Sequence, residues 1–210
     1  MSSWHQGGPV ARWGNPRRGA VVLLHGRGAS AESILMLARH LEREDLLWCA
    51  PQARHGSWYP QRFMAPLEDN EPALSSALEV VSGLAASLDQ EGIPAQRRAI
   101  LGFSQGACLA LEQAVRQPRS FAAVIALAGG LIGPPGTLWP NSGSLAGTPI
   151  LLACGDADPH IPVARVEESA RVLTARGADV EMHLEPGFGH GVLPHHLTRV
   201  RTLLDEVLKP

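Results

Sequence analysis

Residues 98–116 read RAILGFSQGACLALEQAVR and carry the strongest indication of the fold. Residues 98–102 are an apolar run typical of a buried strand, whereas residues 105–116 carry apolar side chains at helical spacing. Between them, residues 102–106 spell G-x-S-x-G. A serine between glycines on a sharp strand-to-helix turn is the pattern of a nucleophile elbow, which exposes the hydroxyl at the edge of a parallel sheet. We therefore predict that Ser104 is a nucleophile.

The rest of the chain repeats this alternation of apolar runs and helical periods, which predicts an α/β protein. We expect a mostly parallel central sheet with helices on both faces and no separate cap domain. The other predicted strands cover residues 20–24, 46–50, 122–127, 150–153 and, at an edge, 180–184. The other predicted helices cover residues 31–41, 72–88, 163–175 and 197–208. The long connections 51–70 and 129–148 are predicted to wall a substrate site.

Composition narrows the class of protein. The 210 residues are 45% hydrophobic and 18% charged, which predicts one domain over residues 1–210 with a single continuous core. A formal charge of -2 leaves no basic surface for nucleic acid. The sequence also lacks a signal peptide and any apolar run of about 18 residues, so we expect a cytoplasmic protein without membrane insertion. Cys49, Cys108 and Cys154 are odd in number and are predicted to be reduced thiols packed in the interior.

A serine nucleophile needs a base and an acid that orients the base. In α/β hydrolases both follow the serine in the order Asp, His, each after a later strand. Asp156 and Asp158 both follow the predicted strand 150–153. We choose Asp158, because it lies further from the strand and precedes a proline that stiffens the loop, whereas Asp156 is suited to a turn. His190 is chosen as base, because it occupies a glycine-framed loop after the last predicted strand.

The sequence also predicts an oxyanion hole and argues against a metal site. The segment LHGRG at residues 24–28 follows a strong strand, so the backbone N–H of Arg27 is predicted to join that of Gln105 in an oxyanion hole. His190, His195 and His196 cluster in the sequence, but no cysteine or carboxylate completes a metal-ligand spacing near them. We therefore expect no metal and no cofactor.

With these residues assembled, the chain resembles the phospholipase/carboxylesterase family of α/β hydrolases over nearly its full length. The resemblance is carried by LHGRG (24–28), NEP (70–72), GFSQG (102–106), GDADPHIP (155–162) and GFGHG (187–191). It implies a catalytic triad of Ser104, Asp158 and His190, with backbone donors from Arg27 and Gln105. In thioesterase members an acidic residue typically follows the aromatic pair of the second loop, whereas here Pro60 follows Trp58 and Tyr59. That departure argues against a protein-thioester substrate.

The predicted function is a serine carboxylesterase acting on small-molecule esters with short- to medium-chain acyl groups. Apolar residues of the two long connections are candidate substrate contacts, with plain hydrophobic packing as the alternative. These candidates are Trp58, Tyr59, Phe63, Met64, Leu131 and Ile132. A thioesterase or lysophospholipase of the same fold and a noncatalytic binding protein on a hydrolase scaffold are the alternatives. Both a monomer and a homodimer are left open.

Overall fold

A seven-stranded sheet forms the centre of the structure, a computed structural model that describes residues 4–5, 8–140 and 143–209. Its strands are β1 (Val10–Gly14), β2 (Gly19–Leu24), β3 (Leu46–Pro51), β4 (Arg98–Phe103), β5 (Ala123–Leu127), β6 (Pro149–Gly155) and β7 (Asp179–Glu185). They lie in the order β1-β3-β2-β4-β5-β6-β7. All neighbours pair in parallel except β1, which runs antiparallel to β3. The mostly parallel central sheet predicted from the sequence is thereby confirmed.

Helices cover both faces of this sheet. They are α1 (Ala31–His40), α2 (Leu67–Asn70), α3 (Ala73–Gln90), α4 (Gln105–Arg116), α5 (Val163–Ala175) and α6 (Pro194–Val207). Helices α3, α4 and α5 pack on one face, and α1 and α6 pack on the other. Side chains of β2 alternate between the two layers, since Val22 joins the first core and Val21 the second. This period of two explains why the interior strands are apolar throughout.

The structure differs from the predicted elements at one edge strand, at the start of one helix and within one long connection. Strand β1 was not predicted, because VARWG is half exposed, contains an arginine and lacks a long apolar run. Helix α6 begins at Pro194, three residues before the predicted start at residue 197, since proline is well tolerated in the first turn of a helix. The predicted connection 51–70 contains a short 3-10 turn at Arg54–Gly56 and the helix α2. No helix among the described residues is long and apolar enough to cross a bilayer.

The carboxyl ends of the parallel strands lie at one edge of the sheet, and the predicted site residues follow them. His25 and Arg27 follow β2, Ser104 follows β4, Asp158 follows β6, and His190 follows β7. Because neighbouring parallel strands end at the same edge, residues that are far apart in sequence are brought together there.

Candidate active site

Ser104 occupies the turn between β4 and α4 in a strained backbone conformation. Its φ of 54° and ψ of -118° lie outside the regions that a residue with a Cβ favours. The turn is held on both sides, because the Ser104 N–H donates to the Leu127 carbonyl at 2.9 Å and the Ser104 carbonyl accepts from the Cys108 N–H at 3.1 Å. The strand and the helix therefore fix the serine at the sheet edge.

The two flanking glycines are required by close approach of the backbone. A Cβ at Gly102 would overlap the carbonyl oxygen of Gly106, and a Cβ at Gly106 would overlap the carbonyl oxygen of Leu24. Any larger residue would push α4 away from the sheet. The G-x-S-x-G pattern is thus a packing requirement of the turn as well as a chemical signature.

His190 links Ser104 to Asp158 through its two ring nitrogens. Its Nε2 lies 2.9 Å from Ser104 Oγ, and its Nδ1 lies 2.6 Å from Asp158 Oδ2. The ring packs against Phe103 at a centroid distance of 5.1 Å and edge-on to His160 at 4.9 Å. With Nδ1–H donated to the carboxylate, Nε2 is left to accept a proton from the serine hydroxyl.

Asp158 is buried and fully hydrogen-bonded in its ionised form. Its Oδ1 accepts from the backbone N–H groups of His160 at 2.8 Å and Ile161 at 3.0 Å. Burial by itself would raise the pKa of this carboxyl, but the hydrogen bonds from His190 and from the two backbone groups outweigh burial and lower the pKa. Asp158 is therefore held as a carboxylate that can stabilise an imidazolium at His190.

Asp156, the alternative acid, has a different place. Its Oδ1 accepts a hydrogen bond from the backbone N–H of Gly187 at 2.6 Å, and its side chain is exposed. It connects the loop after β6 to the loop after β7, which carries His190. Asp156 thus braces the loops, whereas Asp158 contacts the imidazole.

The backbone N–H groups of Arg27 and Gln105 are available beside Ser104. Both residues line the same pocket as Ser104, and neither N–H donates a hydrogen bond within the described part of the chain. Gln105 begins α4, so its N–H also lies at the positive end of a helix dipole. The pair can therefore receive negative charge on an oxygen bound next to the serine.

His25 holds the loop that carries Arg27. It is fully buried, its Nε2 accepts from the Ala53 N–H at 3.1 Å, and its Nδ1 lies 2.8 Å from the Gly26 carbonyl. These contacts assign the proton to Nδ1, and burial lowers the pKa of the ring. A neutral His25 therefore fixes the backbone next to Arg27.

The Gln105 side chain fastens a second loop to the same place. Its Oε1 accepts from the Trp58 N–H at 3.0 Å, and its Nε2 donates to the Tyr59 carbonyl at 2.8 Å. Trp58 in turn donates from its indole nitrogen to the His25 carbonyl at 2.9 Å. The loops after β2, β3 and β4 are thereby joined into one rigid wall.

A pocket of about 390 Å³ opens over Ser104. It is lined by Gly26, Arg27, Ala29, Tyr59, Arg62, Phe63, Phe103, Ser104, Gln105, Cys108, His160, Ile161 and His190. Among the predicted substrate contacts, Tyr59 and Phe63 are lining residues. The pocket has the size and mixed lining typical of a small-molecule site.

The other four predicted contacts are not among the lining residues of this pocket. Trp58, Leu131 and Ile132 have no exposed surface and belong to the core, and Met64 packs against that core. The indole of Trp58 is turned inward by its bond to His25, while the backbone N–H of Leu131 is held by Ser169 Oγ at 2.9 Å. Tyr59 and Phe63 belong to the same core, so all six residues pack in or against it and two of them also line the pocket.

Several lining residues were not predicted as substrate contacts. Phe103 precedes Ser104, and His160 and Ile161 follow Asp158, so adjacency to the chosen residues could have indicated them. Arg62 directly precedes Phe63, but only apolar residues of that connection were considered as contacts, so its charge was passed over.

The family follows from a match over almost the whole chain. The family model described as phospholipase/carboxylesterase matches residues 7–208. The chain belongs to the phospholipase/carboxylesterase family. It is accordingly an enzyme of the carboxylic ester hydrolase type, and the resemblance drawn from its motifs is confirmed.

Individual relatives agree with this membership. The crystal structure of a phospholipase/carboxylesterase from Dyadobacter fermentans is 38% identical, covers 97% of this chain and 98% of its own, and has a TM-score of 0.89. Acyl-protein thioesterase 1 of Eremothecium gossypii is 27% identical over 95% of this chain and 89% of its own. With acyl-protein thioesterase 1 of Gibberella zeae the match is 28% identical and spans 57% of this chain and 52% of that protein, about half of its length.

The three thiols of this family member are buried. Burial raises the pKa of Cys108 and of Cys154 to about 12 and that of Cys49 to about 11. Cys108 lies one helical turn after Ser104 and lines the pocket, yet such a thiol stays protonated near neutral pH. Because a protonated thiol is a poor nucleophile, Cys108 is a weaker candidate nucleophile than Ser104.

A carboxylate does join the neighbouring histidines His195 and His196, which the sequence spacing did not indicate. Glu185 Oε1 lies 2.7 Å from His195 Nε2 and 3.1 Å from His196 Nε2. However, His196 Nδ1 accepts the Leu193 N–H at 3.2 Å, which places the ring proton on the Nε2 that faces Glu185. Glu185, His195 and His196 are therefore already joined by hydrogen bonds. A metal ion at this place would have to break those bonds and displace the proton on His196 Nε2.

Proposed function

We propose that this enzyme is a serine carboxylesterase that hydrolyses short- to medium-chain carboxylic esters through an acyl-enzyme on Ser104. One observation carries the proposal: an unbroken hydrogen-bonded chain from Ser104 through His190 to Asp158 lies beside two unoccupied backbone donors. In this proposal Ser104, His190 and Asp158 are the catalytic residues. Arg27 and Gln105 supply the oxyanion hole through their backbone N–H groups.

The first half of the reaction forms the acyl-enzyme. Ser104 Oγ attacks the ester carbonyl carbon while His190 Nε2, at 2.9 Å, takes the hydroxyl proton. Negative charge develops on the carbonyl oxygen and is stabilised by the two backbone N–H groups. Asp158 stabilises the imidazolium, which then gives its proton to the departing alcohol oxygen.

The second half releases the acid. Water takes the place of the alcohol, His190 removes a proton from it, and the resulting nucleophile attacks the acyl carbon. Collapse of the tetrahedral intermediate returns the proton to Ser104 Oγ and frees the carboxylic acid. Every step uses side chains and backbone of this chain, so we propose that no cofactor takes part.

The pocket supports a limited acyl length. Its volume of about 390 Å³ is modest, and Tyr59, Phe63, Phe103 and Ile161 give it apolar walls. Apolar walls favour hydrocarbon chains in proportion to the area they bury. We therefore propose acyl chains of short to medium length rather than long lipid chains.

The test is hydrolysis of p-nitrophenyl esters of graded acyl length, together with labelling by a fluorophosphonate. We expect turnover and labelling in the wild type and in Ser75→Ala, whose serine lies on the exposed side of α3. Both should be lost in Ser104→Ala. Labelling and turnover that persist without the Ser104 hydroxyl would contradict the proposal.

Two alternatives are separated by further readouts. The relatives named acyl-protein thioesterase make a thioester substrate the second candidate, and a matched ester and thioester pair with the same acyl group compares the two rates directly. Absence of both labelling and turnover would instead favour a noncatalytic binding protein.

A cytoplasmic location and a homodimer stay predictions.

A further inference from the structure

The pocket over Ser104 carries positive charge and no negative charge among its lining residues. Two of the lining residues are arginines, Arg27 and Arg62, and among the described residues no aspartate or glutamate belongs to the lining. Asp158 lies behind His190 and is already bonded to it. The lining of this pocket therefore includes two cationic residues and, among the described residues, no carboxylate that would compete for them.

Arg27 is fixed in place without being neutralised. Its guanidinium donates to Ser57 Oγ at 3.2 Å, to the Pro60 carbonyl at 2.8 Å and to the Gln61 carbonyl. These partners are uncharged, and in the part of the chain that the structure describes Arg27 forms no ion pair. Its guanidinium is thus held against the loop of residues 57–61 by uncharged partners, and its positive charge is not neutralised there.

Arg62 is exposed and stands on the same loop. Within residues 8–140 and 143–209 its side chain makes no hydrogen bond or ion pair, although Glu68 and Asp69 follow closely in α2. An exposed guanidinium that belongs to a pocket lining and has no acidic partner among the described residues suits a carboxylate of a ligand, which it can bind with two parallel hydrogen bonds.

The arginines and the base come from different walls of the pocket. Arg27 contacts Ser57, Pro60 and Gln61, whereas the His190 ring packs on Phe103 and His160. Since His190 must protonate the leaving alcohol, the alcohol lies on its side. The acyl group then points toward the loop of residues 57–63, which carries Arg62.

We infer that the preferred substrate is an ester whose acyl chain ends in a second, ionised carboxylate, which is a half-ester of a dicarboxylic acid. This inference rests on the proposed function and names its substrate class. The apolar part of the acyl chain would pass Tyr59 and Phe63, and the terminal carboxylate would reach Arg62 and Arg27. Ser104 takes up the carboxyacyl group, the alcohol leaves with the proton from His190, and water releases the free dicarboxylate.

The test compares three esters of similar size. Monoethyl adipate carries the anion on the acyl side, its terminal amide is the neutral isostere, and hexanoyl glycolate carries the anion on the alcohol side. We expect kcat/KM of the wild type for the half-ester to exceed that for the amide by at least about fivefold, as for a charged hydrogen bond weakened by solvent exposure. High salt should reduce this preference.

Variants of Arg62 test whether this side chain causes the preference for the half-ester over the amide. The ratio of half-ester to amide should fall in Arg62→Gln and favour the amide in Arg62→Glu, while Arg39→Gln, on the exposed side of α1, should keep the wild-type ratio. A wild-type preference for the amide or for the glycolate, or an unchanged ratio in Arg62→Glu, would overturn the inference while leaving the esterase proposal intact. If Ser104→Ala hydrolysed these esters as fast as the wild type, the esterase proposal itself would fail.

Discussion

At the scale of single residues, Ser104, the proposed nucleophile, has a strained backbone. Its φ of 54° is costly for any residue with a Cβ, by about 1–3 kcal/mol in positions of this kind. Ser104→Gly removes the Cβ, whereas Ser104→Ala removes only the hydroxyl. We expect the glycine variant to be more stable than the alanine variant by about 1 kcal/mol, after the greater entropy of unfolded glycine is subtracted.

Urea denaturation of the two variants measures this difference directly. Neither variant keeps the hydroxyl that faces His190, so the lost hydrogen bond cancels in the comparison. An alanine variant as stable as the glycine variant would show that the turn stores no strain.

Asp158 and Asp156 provide a matched pair of carboxylates at the residue scale. Asp158→Asn would place an amide N–H against His190 Nδ1 and favour the wrong tautomer, so we expect kcat to fall by roughly 10³–10⁴ with little change in KM. Asp156→Asn keeps an acceptor oxygen for the Gly187 N–H and should lose less than about tenfold. Steady-state kinetics with one p-nitrophenyl ester measures kcat and KM of both variants and of the wild type. Equal losses would argue that both carboxylates act only by bracing loops.

At the scale of elements, the packing of α4 against the end of β2 depends on the absence of a side chain at Gly106. A Cβ at Gly106 would overlap the Leu24 carbonyl oxygen, and the neighbouring backbone cannot yield without moving the helix. Gly106→Ala should therefore destabilise the protein by about 3 kcal/mol or more, or prevent folding.

Gly83 in the middle of α3 is the control for this prediction. A Cβ there meets nothing within 4 Å, and the position is exposed. Gly83→Ala should stabilise the protein by about 0.5–1 kcal/mol, because alanine has the higher helix propensity. Thermal unfolding of both variants would show opposite signs, and a tolerated Gly106→Ala would refute the packing argument.

At the scale of the whole molecule, buried histidines link folding to pH. Burial lowers the pKa of His5, His25 and His196 in the folded protein. As pH falls below about 6.5, the unfolded chain binds these protons first, so the free energy of unfolding should decline by up to about 1.4 kcal/mol per pH unit for each group. The decline ends for each group once the pH passes its folded-state pKa.

Urea titrations at about pH 7.5 and about pH 5.5 test this linkage. His25→Gln should be less stable than the wild type at the higher pH, but it should lose less stability on acidification because one titrating group is gone. A wild-type stability that does not change between these two pH values would contradict the prediction.

Sequence periodicity was sufficient to predict the buried strands and the helices that cover the sheet, but not the edge strand β1. Six of the seven strands and the five longer helices are confirmed, because buried strands and amphipathic helices bury enough apolar surface to mark the sequence. Strand β1 pairs with β3 at the edge of the sheet, and three of its five residues are exposed, so its sequence lacks the apolar run that marks a buried strand.

The sequence by itself determined the fold class and pointed to Ser104, Asp158 and His190, since a nucleophile elbow and two loop residues after later strands have strong local patterns. Only the tertiary structure decided which loop residues face the pocket. It buried Trp58, Leu131 and Ile132 in the core and placed Arg62 in the pocket lining. The physical reason is that a loop's path depends on distant anchors, here the bonds of His25 and Gln105, whereas an elbow is specified by its own neighbours.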